Sequence, residues 1–105
     1  MKYSPDQWQL VKVLGKTPHY RVFGSWSGGY LDGDSWRLNS GISEVKETET
    51  GYDLIGYSGS VYRVSTSNYG IKSPYNTSEL FRICEGGMCE VVDDMPDMKE
   101  FAKKL

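Results

Sequence analysis

The sequence holds a single histidine, two cysteines and four prolines, and it has no apolar run near the roughly 20 residues that a membrane-spanning helix needs. Each shortage removes a class of function. One histidine cannot complete a zinc site of about four ligands, and Cys84 and Cys89 lie far from His19 in sequence, so no metal and no cofactor is expected. The basic residues are scattered and the formal net charge is −2, which leaves out the electrostatic footprint of a duplex-DNA binder. The segment MKYSPDQWQ has no apolar centre of the kind a secretory signal carries, so the expected compartment is the cytoplasm, without membrane association. There the two thiols, which enclose Glu-Gly-Gly-Met, are expected to stay reduced and partly packed.

What is plentiful is glycine, with 12 residues, and tyrosine, with eight. In a chain of 105 residues, which fits one domain over 1–105, that balance leans towards a turn-rich β protein. Trp8 to Leu14 reads as a first strand whose alternation is blurred enough for both faces to be covered. His19 to Trp26 reads as a second strand, with Tyr20, Val22 and Trp26 on one face and Arg21 and Phe23 on the other. Ser35 to Leu38 is a brief third strand. Ile42 to Thr66 reads as a three-stranded meander, with Gly51 expected to supply positive φ in the Glu49-Thr50-Gly51 connection. A helix over Ser78 to Glu85, capped by Asn76 or Thr77, is preferred to a strand from Leu80 to Cys84, and Met88 to Val92 is expected to be extended. A last helix, Pro96 to Lys104, carries Met98, Phe101 and Leu105 on one face. The expected fold is mainly β (α+β): a small, strongly bent antiparallel sheet or partial barrel of about five to seven strands with a C-terminal helix.

Function is sought first in Gly24 to Gly41, where five glycines are interleaved with Trp26, Tyr30, Asp32, Asp34, Trp36 and Arg37. Aromatic planes can stack on a ring while carboxylates accept its hydroxyls or amines; the plainer alternative puts both tryptophans in the core around a long hairpin loop. A calcium loop starting at Asp32 fails, because Trp36, Arg37 and Ser43 stand where further ligands and a glycine are needed. A second cluster, Tyr57, Ser58, Gly59 and Ser60 with Tyr62 and Arg63, has the hydroxyls, turn amides and guanidinium of a weak anion site, and Arg37 and Arg63 could converge across a sheet face. The acids Glu90, Asp93, Asp94, Asp97 and Glu100 read as a helix-capping, solvated face. His19 reads as a solvated or hydrogen-bonded imidazole.

No serine sits in a nucleophile elbow and no cysteine is paired with a histidine in sequence. The leading expectation is therefore a non-enzymatic binding module that takes a small polar, nucleotide-like ligand or docks a host protein through the aromatic, glycine-rich stretch. Its rivals are a small hydrolase or transferase using Asp32 or Asp34, and an inhibitor that presents the acidic face. The segments SWRLNSGI, Ser35 to Ile42, and SGSVYR, Ser58 to Arg63, resemble those of small uncharacterised proteins carried by bacteriophages and prophages. That resemblance implies a compact accessory protein of the bacterial cytoplasm.

Overall fold

The computed structural model describes residues 1–29 and 33–105; Tyr30 and Asp32 lie outside the described residues. The chain forms strands β1 (Lys2–Tyr3), β2 (Gln7–Val13), β3 (His19–Gly29), β4 (Gly33–Leu38), β5 (Ile42–Glu47), β6 (Gly51–Gly56), β7 (Val61–Ser65) and β8 (Cys89–Val91), with helices α1 (Pro74–Cys84) and α2 (Met98–Lys103). The strands divide into two four-stranded sheets, ordered β1-β7-β6-β5 and β4-β3-β2-β8. Every pairing is antiparallel except β1 with β7, which runs parallel with Lys2 opposite Val61 and Tyr3 opposite Tyr62. The strand that the sequence reading left as a lead-in is β1: Pro5 discourages helix there, and Lys2–Tyr3 takes the free edge of β7 instead.

The blurred alternation of β2 follows from its position. Trp8, Gln9, Leu10 and Val11 are all buried, because the strand has a layer on each face. Trp8 and Leu10 enter the main core with Val22, Ile42, Leu54, Tyr62 and Val64, while Val11 joins Phe23 and Leu80 under α1. Fully burying one such aliphatic or aromatic side chain contributes about 1.5–3 kcal/mol. The indole Nε1 of Trp8 donates to the Ser65 carbonyl at 2.7 Å, so the largest core residue also carries a hydrogen bond from one sheet to the other. Tyr69 fastens the neighbouring strand edge: its hydroxyl accepts from the Leu10 amide at 3.2 Å and donates to the Val92 carbonyl. As expected of the alternation in β3, Tyr20, Val22 and Trp26 face the main core and Phe23 faces α1.

Three local expectations are corrected. α1 starts four residues earlier than Ser78, because Ser73 is its cap: the Ser73 hydroxyl accepts from the Asn76 amide at 3.1 Å and Pro74 takes the first turn. Asn76, expected as a cap, is instead fully buried. α2 starts at Met98 rather than Pro96, since the Asp97 carboxylate accepts from the amides of Lys99 and Glu100. Gly51 does not take positive φ. It is required for close approach, because a Cβ there would lie 1.9 Å from the Val64 carbonyl oxygen. Met98 and Phe101 are buried in the main core, with the Phe101 ring edge-on to Tyr20 at 4.8 Å. Among the described residues no helix is long and apolar enough to cross a membrane.

Candidate functional site

Most of Gly24 to Gly41 is not a loop: it is the β3–β4 hairpin, with a bulge between Trp26 and Gly29. Strand geometry then separates the residues that the sequence had grouped. Trp26 and Trp36 are near neighbours in the register, with Ser35 opposite Trp26 and Ser25 opposite Trp36, so their side chains leave on opposite faces. Trp36 stacks on Phe23 at 5.3 Å and an interplanar angle of 11°, on the α1 side. Trp26 lies against the main core, with its ring 6.3 Å from that of Tyr3. Arg37 reaches the same tyrosine, its guanidinium 4.7 Å from the ring centre, so two predicted site residues meet on a β1 residue that sequence reasoning had passed over.

Asp34 serves the architecture. Its Oδ1 accepts from the Gly28 amide at 2.8 Å and its Oδ2 accepts from the Ser73 hydroxyl. The Ser73 and Gly28 hydrogen bonds hold its carboxyl below the usual aspartate range, which makes it a poor base. Arg63 is on the other sheet from Arg37 and forms a two-pronged ion pair with Asp53 at 2.8 and 2.9 Å, so the two guanidiniums do not converge. Ser58 and Ser60 flank the β6–β7 turn with their hydroxyl oxygens 3.5 Å apart. Within the acidic face, Asp97 caps α2 and Glu100 pairs with Lys103 at 3.2 Å.

The structure offers a different concavity. A hollow of about 240 Å³ is lined by Lys12 from β2, Pro18, His19 and Tyr20 at the start of β3, Ile42 from β5, Tyr57 after β6, and Lys104 and Leu105 beyond α2. Its walls are mostly aromatic and aliphatic. Lys12 is half-buried and Lys104 exposed, and among the described residues no acidic side chain lines it. Glu90 is the register partner of Lys12, yet the two make no ion pair. The C-terminal end of α2 carries partial negative charge, which Lys104 offsets.

His19 is held in one tautomer here. Nδ1 faces the Thr17 carbonyl at 2.9 Å and so carries the proton, while Nε2 accepts from Arg21 Nε at 3.0 Å. Both nitrogens are engaged, as the sequence reading of a hydrogen-bonded imidazole expects, and the ring presents a carbon edge. Gly41 keeps the hollow's wall thin: its φ is +136°, and a Cβ would lie 2.7 Å from the Tyr57 ring and 3.3 Å from His19 Cδ2. Sequence reasoning missed Lys12, Tyr20 and Lys104 because they come from three separate elements with no shared spacing, and it grouped Tyr57 with Ser58, Ser60 and Arg63 instead. A local signal is Gly41, whose positive φ calls for glycine and whose missing side chain leaves room for Tyr57 and His19. No family model matches this sequence, and neither curated proteins nor solved structures yielded a match.

Proposed function

We propose that the protein is a non-enzymatic binding module that holds a small anion bearing one flat ring in the hollow formed by Lys12, His19, Tyr20, Tyr57 and Lys104. The observation that carries this reading is the pairing of two lysines with aromatic walls in a hollow that, among the described residues, no acidic side chain lines. The rings and Ile42 take the apolar body, and the lysines take a phosphate or carboxylate. At about 240 Å³ the hollow is smaller than the roughly 300–1,000 Å³ of pockets that enclose drug-sized ligands. A ring the size of phenyl phosphate is enclosed, and a nucleotide is held by one end. The enzymatic rival loses Asp34, whose two oxygens are already occupied. The proposed setting, an accessory protein of phage type in a bacterial cytoplasm, rests on the SWRLNSGI and SGSVYR resemblance.

The test is a titration with phenyl phosphate, inorganic phosphate and a panel of mononucleotides, followed by amide and aromatic NMR shifts and by recovery of each compound. Phenyl phosphate is expected to shift Tyr20, Tyr57 and His19, to be recovered intact, and to bind less tightly as salt rises. Lys12→Gln with Lys104→Gln is expected to weaken it at least tenfold. Turnover of any compound, or shifts confined to Trp26, Trp36 and Arg37, overturns the reading.

A further inference from the structure

The two cysteines stand apart from the hollow and meet at a joint of the fold. Cys84 is the last residue of α1 and Cys89 the first of β8, and the chain between them reverses through Gly86 and Gly87. Both ends of that turn are fixed by backbone. The Gly87 amide donates to the Cys84 carbonyl at 3.1 Å, the Leu14 amide donates to the Met88 carbonyl at 2.8 Å, and Cys89 is in register with Val13 of β2. The thiols are free and half-buried, with their sulfurs 2.8 Å apart, and Cys89 Sγ donates to the Ile83 carbonyl at 3.6 Å. A disulfide bond is about 2.05 Å long, so closing this pair asks for a movement of less than about 1 Å. Glu85, Gly86, Gly87 and Met88 around the pair are all exposed, which leaves an approach open to a small reagent.

We propose that Cys84 and Cys89 are a reversible modification site, oxidised to a disulfide by exchange with a low-molecular-weight disulfide. In the first step one thiol, as thiolate, attacks a sulfur of the reagent, forming a mixed disulfide and releasing one reagent thiolate. In the second the other cysteine, as thiolate, attacks the protein sulfur of that mixed disulfide, and the second reagent thiol leaves. The protein loses two protons and two electrons, and the reagent disulfide gains both and becomes two thiols. Burial and the contact with Cys89 push the Cys84 thiol up to about 12, so Cys84 carries little thiolate at neutral pH. The product bolts the end of α1 to β8, an edge strand of three residues that pairs with β2.

The full-length chain is exposed to oxidised glutathione and followed by intact mass, then by cleavage after Glu85, which separates the two cysteines unless they are bonded. The expected product is a monomer lighter by two hydrogens whose two pieces stay together, restored by dithiothreitol. Cys84→Ser is expected to stop at a glutathione adduct on Cys89, and Cys89→Ser at one on Cys84. A wild-type chain that accumulates a stable glutathione adduct, couples to a second chain, or keeps both thiols while a small dithiol in the same tube is oxidised overturns the proposal.

Discussion

The Ser73 hydroxyl donates to Asp34 Oδ2 across 39 positions of sequence, while the same oxygen accepts from the Asn76 amide. With Gly28 on its other oxygen, Asp34 thus clamps the bulged end of the β3–β4 hairpin to the first turn of α1.

The clamp sets a dependence on acid. The Ser73 and Gly28 hydrogen bonds lower the folded-state pKa of Asp34 below the ordinary 3.8, and the hydrogen bond and charge of Arg63 lower that of Asp53 in the same way. A carboxylate with a depressed folded pKa adds stability above its unfolded pKa and loses it as pH falls through the folded one. Wild-type urea midpoints are therefore expected to fall as pH drops from about 5 towards the lowered values. Asp34→Asn is expected to be weaker at pH 7 and to show a shallower fall. An Asp34→Asn profile parallel to wild type contradicts the clamp.

Asn76 is the next link. Its Nδ2 donates to Ser25 Oγ and to the Ser35 carbonyl, both at 2.8 Å, and lies 3.5 Å from the Trp26 carbonyl, all in a buried setting. Asn76→Ala leaves those acceptors without a donor and is expected to cost about 1–3 kcal/mol in equilibrium unfolding. A loss of only a few tenths would show that water replaces the amide.

Alkali should act through two tyrosines. Burial raises Tyr62 and Tyr69 to about 12 each, from 10.0. A raised folded pKa gives stability that is complete below the unfolded value and lost as pH climbs to the folded one, so the window runs from 10 to about 12. Tyr62→Phe is expected to flatten the loss in that window, as followed by circular dichroism. Tyr69→Phe flattens it too, but begins from a lower stability because the hydrogen bonds to Leu10 and Val92 go with the hydroxyl.

Phe101→Ala tests whether so short a helix matters. The ring is 2% exposed and packs edge-on against Tyr20, so truncation is expected to cost about 3–5 kcal/mol by chemical denaturation. An unchanged midpoint would mean that α2 is detached in solution.

Much of the fold was legible because it is written in local alternation: the β2–β3 hairpin, the meander from Ile42 and the burial of Met98 and Phe101 all follow from spacing within one element. The start of α1 was misread because Asn76 and Thr77 carry capping side chains of the same kind as Ser73, although Pro74, directly after Ser73, was a local signal for the earlier start and Asp34 adds a tertiary one. The glycine stretch misled for a related reason. Trp26 and Trp36 are close in number, but period-two geometry sends them to opposite faces, and that was hidden while β3 was expected to stop at Trp26. The hollow was illegible because its lysines come from β2 and from beyond α2, and no pattern along the chain links them.

The parallel pairing of β1 with β7 has a kinetic consequence. Lys2 finds Val61 only after a loop of nearly sixty residues closes, whereas β5, β6 and β7 are joined by short turns. The entropy of closure delays that contact, and a strand of two residues gives little in return until Tyr3 slides beneath Arg37 and beside Trp26. The N-terminal strand is thus expected to seat after the β5–β6–β7 meander and to lift before it. In hydrogen exchange the Val61 amide, which donates to the Met1 carbonyl at 2.9 Å, is expected to open far sooner than that of Leu54 on the neighbouring strand.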